Sequence, residues 1–130
     1  PLGLVMFDLD HFKRINDGYG HDVGDTVLRG VTGVVRENVR LGDVIGRWGG
    51  EEFMLLLPKS DLAITLAVAE RLRASIEARH FEPVERVTAS FGVVVLERGE
   101  GFDALVKRAD VALYRAKSAG RNRVETVSGD

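Results

Sequence analysis

Two acidic pairs in this 130-residue chain have residue types and spacing suited to metal chemistry. Asp8 and Asp10 flank Leu9 at the end of an apolar run, and Glu51-Glu52 directly follows Gly49-Gly50. Carboxylates without thiolates or several histidines suit a hard cation such as Mg²⁺, which prefers oxygen ligands and keeps waters for substrate phosphates. The pattern therefore predicts a magnesium site that handles phosphates.

The diglycine suggests a second role in the same site. Without a Cβ, Gly49 and Gly50 accept positive φ and allow a bulky ligand to approach the backbone. Amides at such a turn also contact phosphate oxygens. The alternative stays open that these acids and glycines belong to solvated turns, since neither of the common glycine-rich nucleotide loops is present.

The apolar periodicity predicts the elements that position these residues. After the first strand comes a polar stretch with Gly18 and Gly20, and the first helix begins near Asp22 and is broken by Gly42. The other expected elements are strands over Leu2–Phe7, Asp43–Trp48, Glu51–Leu57, Val87–Leu96 and Arg123–Val127, a helix capped by Asp61, and a helix over Phe102–Ser118 ended by Gly120.

This element order, β-α-β-β-α-β-α-β, predicts an α+β fold. A hairpin between two crossover helices is the split βαβ pattern of ferredoxin-like folds, with a mostly antiparallel sheet flanked by helices. In that pattern the first strand lies beside the hairpin, so the two acidic pairs are expected to meet at one sheet edge. The length fits one domain over residues 1–130.

Composition excludes several function classes. The net charge of −2 offers no basic surplus for a nucleic-acid polymer. The absence of cysteine excludes disulfides, thiolate metal sites and a cysteine nucleophile. No apolar run approaches the roughly 18 residues of a membrane span, and no signal peptide opens the chain. We therefore expect a cytoplasmic domain, and any membrane anchor of the full-length protein would lie outside this chain.

The segment Arg47–Phe53 resembles the signature of the GGDEF family of diguanylate cyclases, in its GGEEF form. Further blocks resemble the family's first and closing signatures, in family order and over nearly the whole chain: Phe7–Asp17, Tyr19–Asp25, Arg108–Lys117 and Gly120–Arg123. The resemblance implies a palm-like, nucleotide-cyclase-like fold and an enzyme that condenses two GTP into cyclic di-GMP and two pyrophosphates.

The resemblance also implies the metal and catalytic residues. Asp8 and Glu51 would hold two Mg²⁺ (or Mn²⁺) ions per site, with the Leu9 carbonyl as a third ligand. Glu51 or Glu52 would help to deprotonate the attacking 3′-hydroxyl, and the sequence does not separate the two. A two-metal arrangement activates such a hydroxyl while neutralising the leaving pyrophosphate.

Substrate contacts follow from the same resemblance. They are Asn16 and Asp25 for the guanine edge, His21 near that pocket, Gly50 in the turn, and Lys13 and Lys107 for the triphosphate. An Asn–Asp pair offers donors and acceptors complementary to guanine rather than adenine. The alternatives stay open that His21 caps a helix start, that Asn16 is a turn former, and that both lysines lie on solvated faces.

A regulatory site is implied upstream of the diglycine. Arg40 and Asp43 match the spacing of the family's Arg-x-x-Asp product-inhibition site, and Arg71 matches a position that completes it in some members. A planar guanidinium and a carboxylate suit guanine or phosphate. The alternative is a helix-terminal arginine beside a turn aspartate.

Two further expectations concern assembly and completeness. Because the product is a two-fold symmetric ring built from two GTPs, catalysis should need two domains facing each other. The chain lacks the Asp-x-Leu-Thr-Gly-Leu-x-Asn-Arg block that usually precedes the first strand of the family, so we expect a domain without its N-terminal helix and upstream regulatory region.

The competing functions are a catalytically silent cyclic di-GMP or GTP sensor and another phosphoryl-transfer enzyme of palm-like fold.

Overall fold

A computed structural model of the protein describes residues 1–128. The strands within this range are β1 (Leu2–Leu9), β2 (Val44–Gly49), β3 (Glu52–Pro58), β4 (Ala89–Val95) and β5 (Val124–Thr126), and the helices are α1 (Phe12–Tyr19), α2 (His21–Asn38), α3 (Leu62–Ala78) and α4 (Phe102–Ser118). Among these helices, none combines the length and apolar character that a bilayer crossing requires.

The five strands form one sheet in the order β2-β3-β1-β4-β5. β1 pairs antiparallel with both β3 and β4, and β2 pairs antiparallel with β3. β3 therefore lies between the two strands that α1 and α2 connect, and β1 lies between those that α3 connects. This is the predicted split βαβ arrangement, and β5 extends it as a parallel strand beside β4.

The two faces of the sheet are covered unequally. Alternation along β1 sends Val5, Phe7 and Leu9 into a core shared with α1, α2 and α3. Leu4 and Met6 point to the other face, where α4 covers them. Asp8, inside β1, and Asp10, just after it, thus belong to a strand that is buried on both faces, which limits the movement of its tip.

The structure corrects two boundaries of the predicted elements. Helix α1 occupies the stretch that the sequence predicts as an irregular polar segment. Its eight residues bury only Phe12 and Ile15, too few apolar positions to reveal a helical period. The hairpin also turns one residue later than predicted, because Gly49 pairs with Glu52 and leaves Gly50-Glu51 as the loop.

Candidate metal and nucleotide site

The sheet brings the two acidic pairs to one edge, as the sequence predicts. Asp8 lies opposite Glu52 in the β1–β3 register and opposite Ser90 in the β1–β4 register. Opposed residues of an antiparallel pair have Cβ atoms about 5 Å apart. The carboxylates of the opening strand and of the hairpin therefore share one small region.

The turn that carries Glu51 depends on the glycine before it. Gly50 has φ 29°, in the region that side chains disfavour, and the Arg47 guanidinium donates to the Gly50 carbonyl. The register shifts between Arg47 and Gly49, so the hairpin is irregular just before the turn. Glu51 therefore projects from the loop itself rather than from a strand, beside the tip of β1.

Asp8 is a buried acid with one cationic neighbour. Its side chain is 9% exposed, and the Lys117 ammonium donates to its Oδ2 at 2.5 Å. Burial raises the pKa of the Asp8 carboxyl; Lys117 opposes that rise, and the negative charges of Glu51 and Asp10 add to it. Burial likewise raises the pKa of Glu52, and the charge of Asp8 adds to the effect. These mutual influences indicate a concentrated negative charge that favours a bound cation.

Lys117 contacts this cluster although the sequence analysis did not assign it to the site. It lies at the end of α4 and reaches Asp8 across 109 residues of chain. Only its place inside the closing signature pointed towards the site. Lys117 is 32% exposed at its side chain, so it lies at the surface of the acidic cluster.

Asp10 has a different environment from Asp8 although both are buried. Its carboxylate accepts hydrogen bonds from the hydroxyls of Thr88 at 2.7 Å and Ser90 at 2.6 Å, and from the backbone amide of Asn122 at 3.0 Å. These bonds tie the tip of β1 to β4 and to the loop after α4. Asp10 therefore holds these three elements together at the tip of β1.

The donors that remain suit a hard divalent cation. The predicted set consists of the carboxylates of Asp8 and Glu51 with the Leu9 carbonyl, all oxygen donors at the end of β1 and at the hairpin turn. Within residues 1–128 no group of three or more His, Cys, Asp or Glu side chains is arranged to hold a metal ion. A set of only two side chains agrees with that, because Mg²⁺ commonly takes one or two carboxylates and completes its shell with water and phosphate.

Helices α1 and α2 bring the two predicted guanine contacts to one place. Asn16 is half-buried in α1, and its carboxamide packs against Gly24 of α2, next to the exposed Asp25. His21 is the exposed first residue of α2 and caps nothing, since Gly20 is the N-cap. Lys13 lies on the exposed side of α1 and pairs with Asp17 at 2.9 Å.

The structure does not bring Lys107 to this site. The neighbouring Arg108 donates to the carbonyls of Val95 and Val127, at the end of the sheet where β1 begins. Ten residues of helix, about 15 Å, separate Lys107 from Lys117. The geometry therefore favours Lys117 over Lys107 as the α4 cation beside Asp8.

The predicted product-inhibition residues form a separate cluster. The Arg40 guanidinium donates to the Pro58 carbonyl at 2.9 Å and to the buried Ser60 hydroxyl at 2.7 Å, and Asp43 accepts from the Arg40 amide at 2.8 Å. Pro58 pairs with Leu2, six residues from Asp8 along β1, or about 20 Å away. Ser60, a contact that the sequence did not reveal, holds the arginine in place.

Arg71 approaches this cluster from α3. It donates to the side chain of Asn38 at 3.0 Å and to the Asn38 carbonyl at 2.7 Å, at the C-terminal end of α2. Arg71 therefore contacts the chain two residues before Arg40. Part of the Arg71 guanidinium therefore caps the C-terminal end of α2. An arginine suits this role because it carries several hydrogen-bond donors.

Comparisons with known proteins agree with this geometry. The family model described as "Diguanylate cyclase, GGDEF domain" matches residues 1–123. Diguanylate cyclase DgcP of Pseudomonas aeruginosa is 48% identical over 130 residues, which cover 97% of this chain and 19% of that protein. Diguanylate cyclase DgcM of Escherichia coli is 48% identical over 121 residues, which cover 93% of this chain and 30% of that protein. The chain thus spans less than a third of either relative.

Solved structures of related domains have the same fold as this chain. The active GGEEF domain of a diguanylate cyclase from Vibrio cholerae superposes with a TM-score of 0.93 at 34% identity, over 99% of this chain and 84% of that one. The GGDEF domain of DgcB from Caulobacter crescentus, in complex with c-di-GMP, has a TM-score of 0.88 at 33% identity, over 95% of this chain and 76% of that one. With its acidic sheet edge, its sheet order and its similarity along nearly the whole length, this chain belongs to the GGDEF domain family of diguanylate cyclases.

Proposed function

We propose that this domain is a diguanylate cyclase that joins two GTP molecules into cyclic di-GMP and releases two pyrophosphates. The observation that carries the proposal is the convergence of Asp8 with Glu51-Glu52 beside the Lys117 ammonium. Family membership and 48% identity to a named diguanylate cyclase support the same chemistry. A domain that consumes GTP in this way would work in the cytoplasm.

The acidic residues would serve the reacting groups. Asp8, Glu51 and the Leu9 carbonyl would hold Mg²⁺ or Mn²⁺, two ions per site. When bound, such ions lower the pKa of a 3′-hydroxyl and neutralise charge on departing pyrophosphate. In each step the 3′-oxygen of one GTP forms a bond to the α-phosphorus of the other, the bond to pyrophosphate breaks, and Glu51 or Glu52 takes the hydroxyl proton.

The remaining residues would bind and orient GTP. Asn16 and Asp25 would hydrogen-bond the guanine edge, with His21 at the rim of that pocket. Phosphoryl transfer depends mostly on positioning and charge neutralisation, so a few cations suffice for the triphosphate. Lys13, the Gly50 amide and Lys117 are the groups that we assign to the phosphates, and the distance of Lys107 from Asp8 argues against that residue.

Incubation of the protein with GTP and Mg²⁺, followed by chromatography of the products, tests this function directly. We expect cyclic di-GMP and pyrophosphate in a ratio of one to two. The alternative, a silent sensor domain, predicts binding of GTP or cyclic di-GMP without turnover. The intact acidic pair at the hairpin favours the enzyme, because a sensor has no need for carboxylates at that turn.

Two copies of the domain should be needed for each product molecule. Each copy offers one GTP site, while the ring joins two GTPs by two equivalent bonds. We therefore expect the specific activity of the isolated domain to rise about tenfold over a tenfold increase in protein concentration while monomers dominate. Measuring turnover per domain across a dilution series checks this, and a constant value throughout would contradict the dimer requirement.

The cluster of Arg40 and Asp43 supports a second part of the proposal, a product-inhibition site completed by Arg71. It lies about 20 Å from Asp8 along β1, so a ligand there would not overlap the reacting groups. The guanidinium is already oriented by Ser60 and Pro58 and remains 55% exposed at its side chain. An oriented, exposed guanidinium suits a guanine edge or a phosphate, and Asp43, whose side chain is 3% exposed, fixes the backbone beneath it.

Replacing Arg40 by alanine is expected to weaken cyclic di-GMP binding at least about tenfold, since hydrogen bonds to charged groups contribute roughly 1.5–3 kcal/mol. Titration calorimetry with cyclic di-GMP measures the change. Arg36→Ala is the matched control, because Arg36 is an exposed arginine of α2. Equal affinity of the Arg40→Ala variant and the parent would remove this site from the proposal.

A further inference from the structure

In helix α2, Gly24 packs directly against Asn16, one of the two proposed guanine contacts, and it precedes the other, Asp25. Gly24 is buried, and a Cβ built on it would lie 1.9 Å from the Oδ1 atom and 3.1 Å from the Cγ atom of Asn16. The same atom would lie 3.2 Å from Cζ of Phe12. Real Cβ atoms essentially never approach another heavy atom within 3.0 Å, so any side chain here forces Asn16 to move.

The backbone of Asn16 has little freedom to retreat. Its carbonyl accepts the Gly20 amide at 2.8 Å, which closes the turn between α1 and α2. Phe12 and Ile15 of the same helix are buried in the core, 8% exposed each. An added methyl group at residue 24 would therefore be relieved by rotation of the Asn16 side chain, which moves the carboxamide from its place against Gly24.

The other glycines of α2 are in different surroundings. A Cβ at Gly33 would meet nothing within 4 Å, and one at Gly30 would meet the ring of Phe81 at 2.7 Å. Gly24 alone among these three lies against a side chain that we assign to the nucleotide. Glycine is costly within a helix, so its presence at a buried helical position requires a packing reason.

We infer that Gly24 is a positioning residue for nucleobase selection: the absence of a side chain at this position sets where the Asn16 carboxamide lies beside Asp25. This inference rests on the proposed function, in which Asn16 and Asp25 bind guanine. Hydrogen bonds weaken steeply when donor and acceptor leave the range of 2.7–3.2 Å or lose their alignment. A site built on such bonds discriminates strongly against a base that does not match it.

The test compares four variants, G24A, G33A, N16A and the double variant N16A/G24A. Calorimetry with non-hydrolysable analogues of GTP and ATP measures the affinity for each base, and thermal melting measures folding. We expect G24A to lose at least about tenfold in affinity for the guanine analogue and less than twofold for the adenine analogue. The matched control G33A should bind both like the parent, because it adds the same methyl group to the same helix in open space.

The double variant separates positioning from general packing. If Gly24 acts through Asn16, G24A should change guanine affinity less than twofold in the N16A background. Should G24A fail to fold, N16A/G24A must recover folding, because the carboxamide that the methyl group would strike is gone. A G24A protein that binds the guanine analogue like the parent, or an equal loss from G24A with and without Asn16, would overturn the inference.

The proposed function has a separate outcome in the same experiment. A parent protein without preference for the guanine analogue would contradict guanine recognition itself. A parent that prefers guanine, with a G24A variant that keeps the preference, would contradict only the role of Gly24.

Discussion

Replacing Glu51 by glutamine is expected to reduce cyclic di-GMP formation about a thousandfold while the domain remains folded. Charge neutralisation by a bound metal ion is worth several kcal/mol, and each 1.36 kcal/mol corresponds to a tenfold change in rate. Glutamine preserves the size of the side chain but removes the negative charge and the ability to accept a proton. Product chromatography after incubation with GTP and Mg²⁺ measures the effect.

The loop position of Glu51 makes the experiment specific. The side chain lies in the two-residue turn and takes no part in strand pairing, so the substitution should leave the melting temperature unchanged. Glu85→Gln is the matched control, because Glu85 is also a loop glutamate and is exposed outside the site. Product formation by Glu51→Gln at the rate of the parent would refute the assigned chemistry.

Replacing Asp8 by asparagine is expected to cause a loss of similar size, about a thousandfold. Burial raises the pKa of Asp8, which means that the folded protein bears a cost for keeping this carboxyl ionised at neutral pH. Stability from this group is therefore fully present below the unfolded-state pKa and is lost as the pH rises through the raised folded-state pKa. A neutral asparagine removes that cost, so the melting temperature at neutral pH should not fall.

The Asp10→Asn variant is expected to lose stability, in contrast to Asp8→Asn. The Asp10 carboxylate accepts three hydrogen bonds, and an amide group would turn an acceptor into a donor facing Thr88 and the Asn122 amide. We expect the free energy of unfolding to fall by about 1–3 kcal/mol, the cost of a buried polar group without a matching partner. If Asp8→Asn destabilised the domain as much as Asp10→Asn, Asp8 would be a structural residue and its assignment to the metal would fail.

Periodicity and motif spacing were sufficient for much of the fold. The apolar run of β1, the hairpin and the three longer helices all occur close to their predicted places. The sheet order also agrees, because a hairpin placed between two crossovers leaves few ways to bury both faces of the strands. The short helix α1 escaped prediction because two buried residues do not establish a period.

The site was predictable in its types but not in its contacts. Asp8, Glu51 and Glu52 are recognisable from their motifs, and their convergence follows from the predicted pairing of β1 with the hairpin. The contact between Asp8 and Lys117, by contrast, was not predicted from the sequence. Lys117 stands 109 positions later, and its place in the closing signature does not reveal that it reaches Asp8, while the direction of α4 carries Lys107 to the other end of the sheet.

What the sequence by itself determined is therefore most of the elements, the family and the identity of the acidic residues, since these depend on periodicity and on short motifs. Only the tertiary structure decided which acid pairs with Lys117 and which is locked by neutral donors, as the contrast between Asp8 and Asp10 demonstrates. The tertiary structure also brings Gly24 of α2 into contact with Asn16 of α1. The physical reason is that hydrogen bonds and van der Waals contacts act over a few ångströms, between groups that the chain separates and the packing of helices against the sheet brings together.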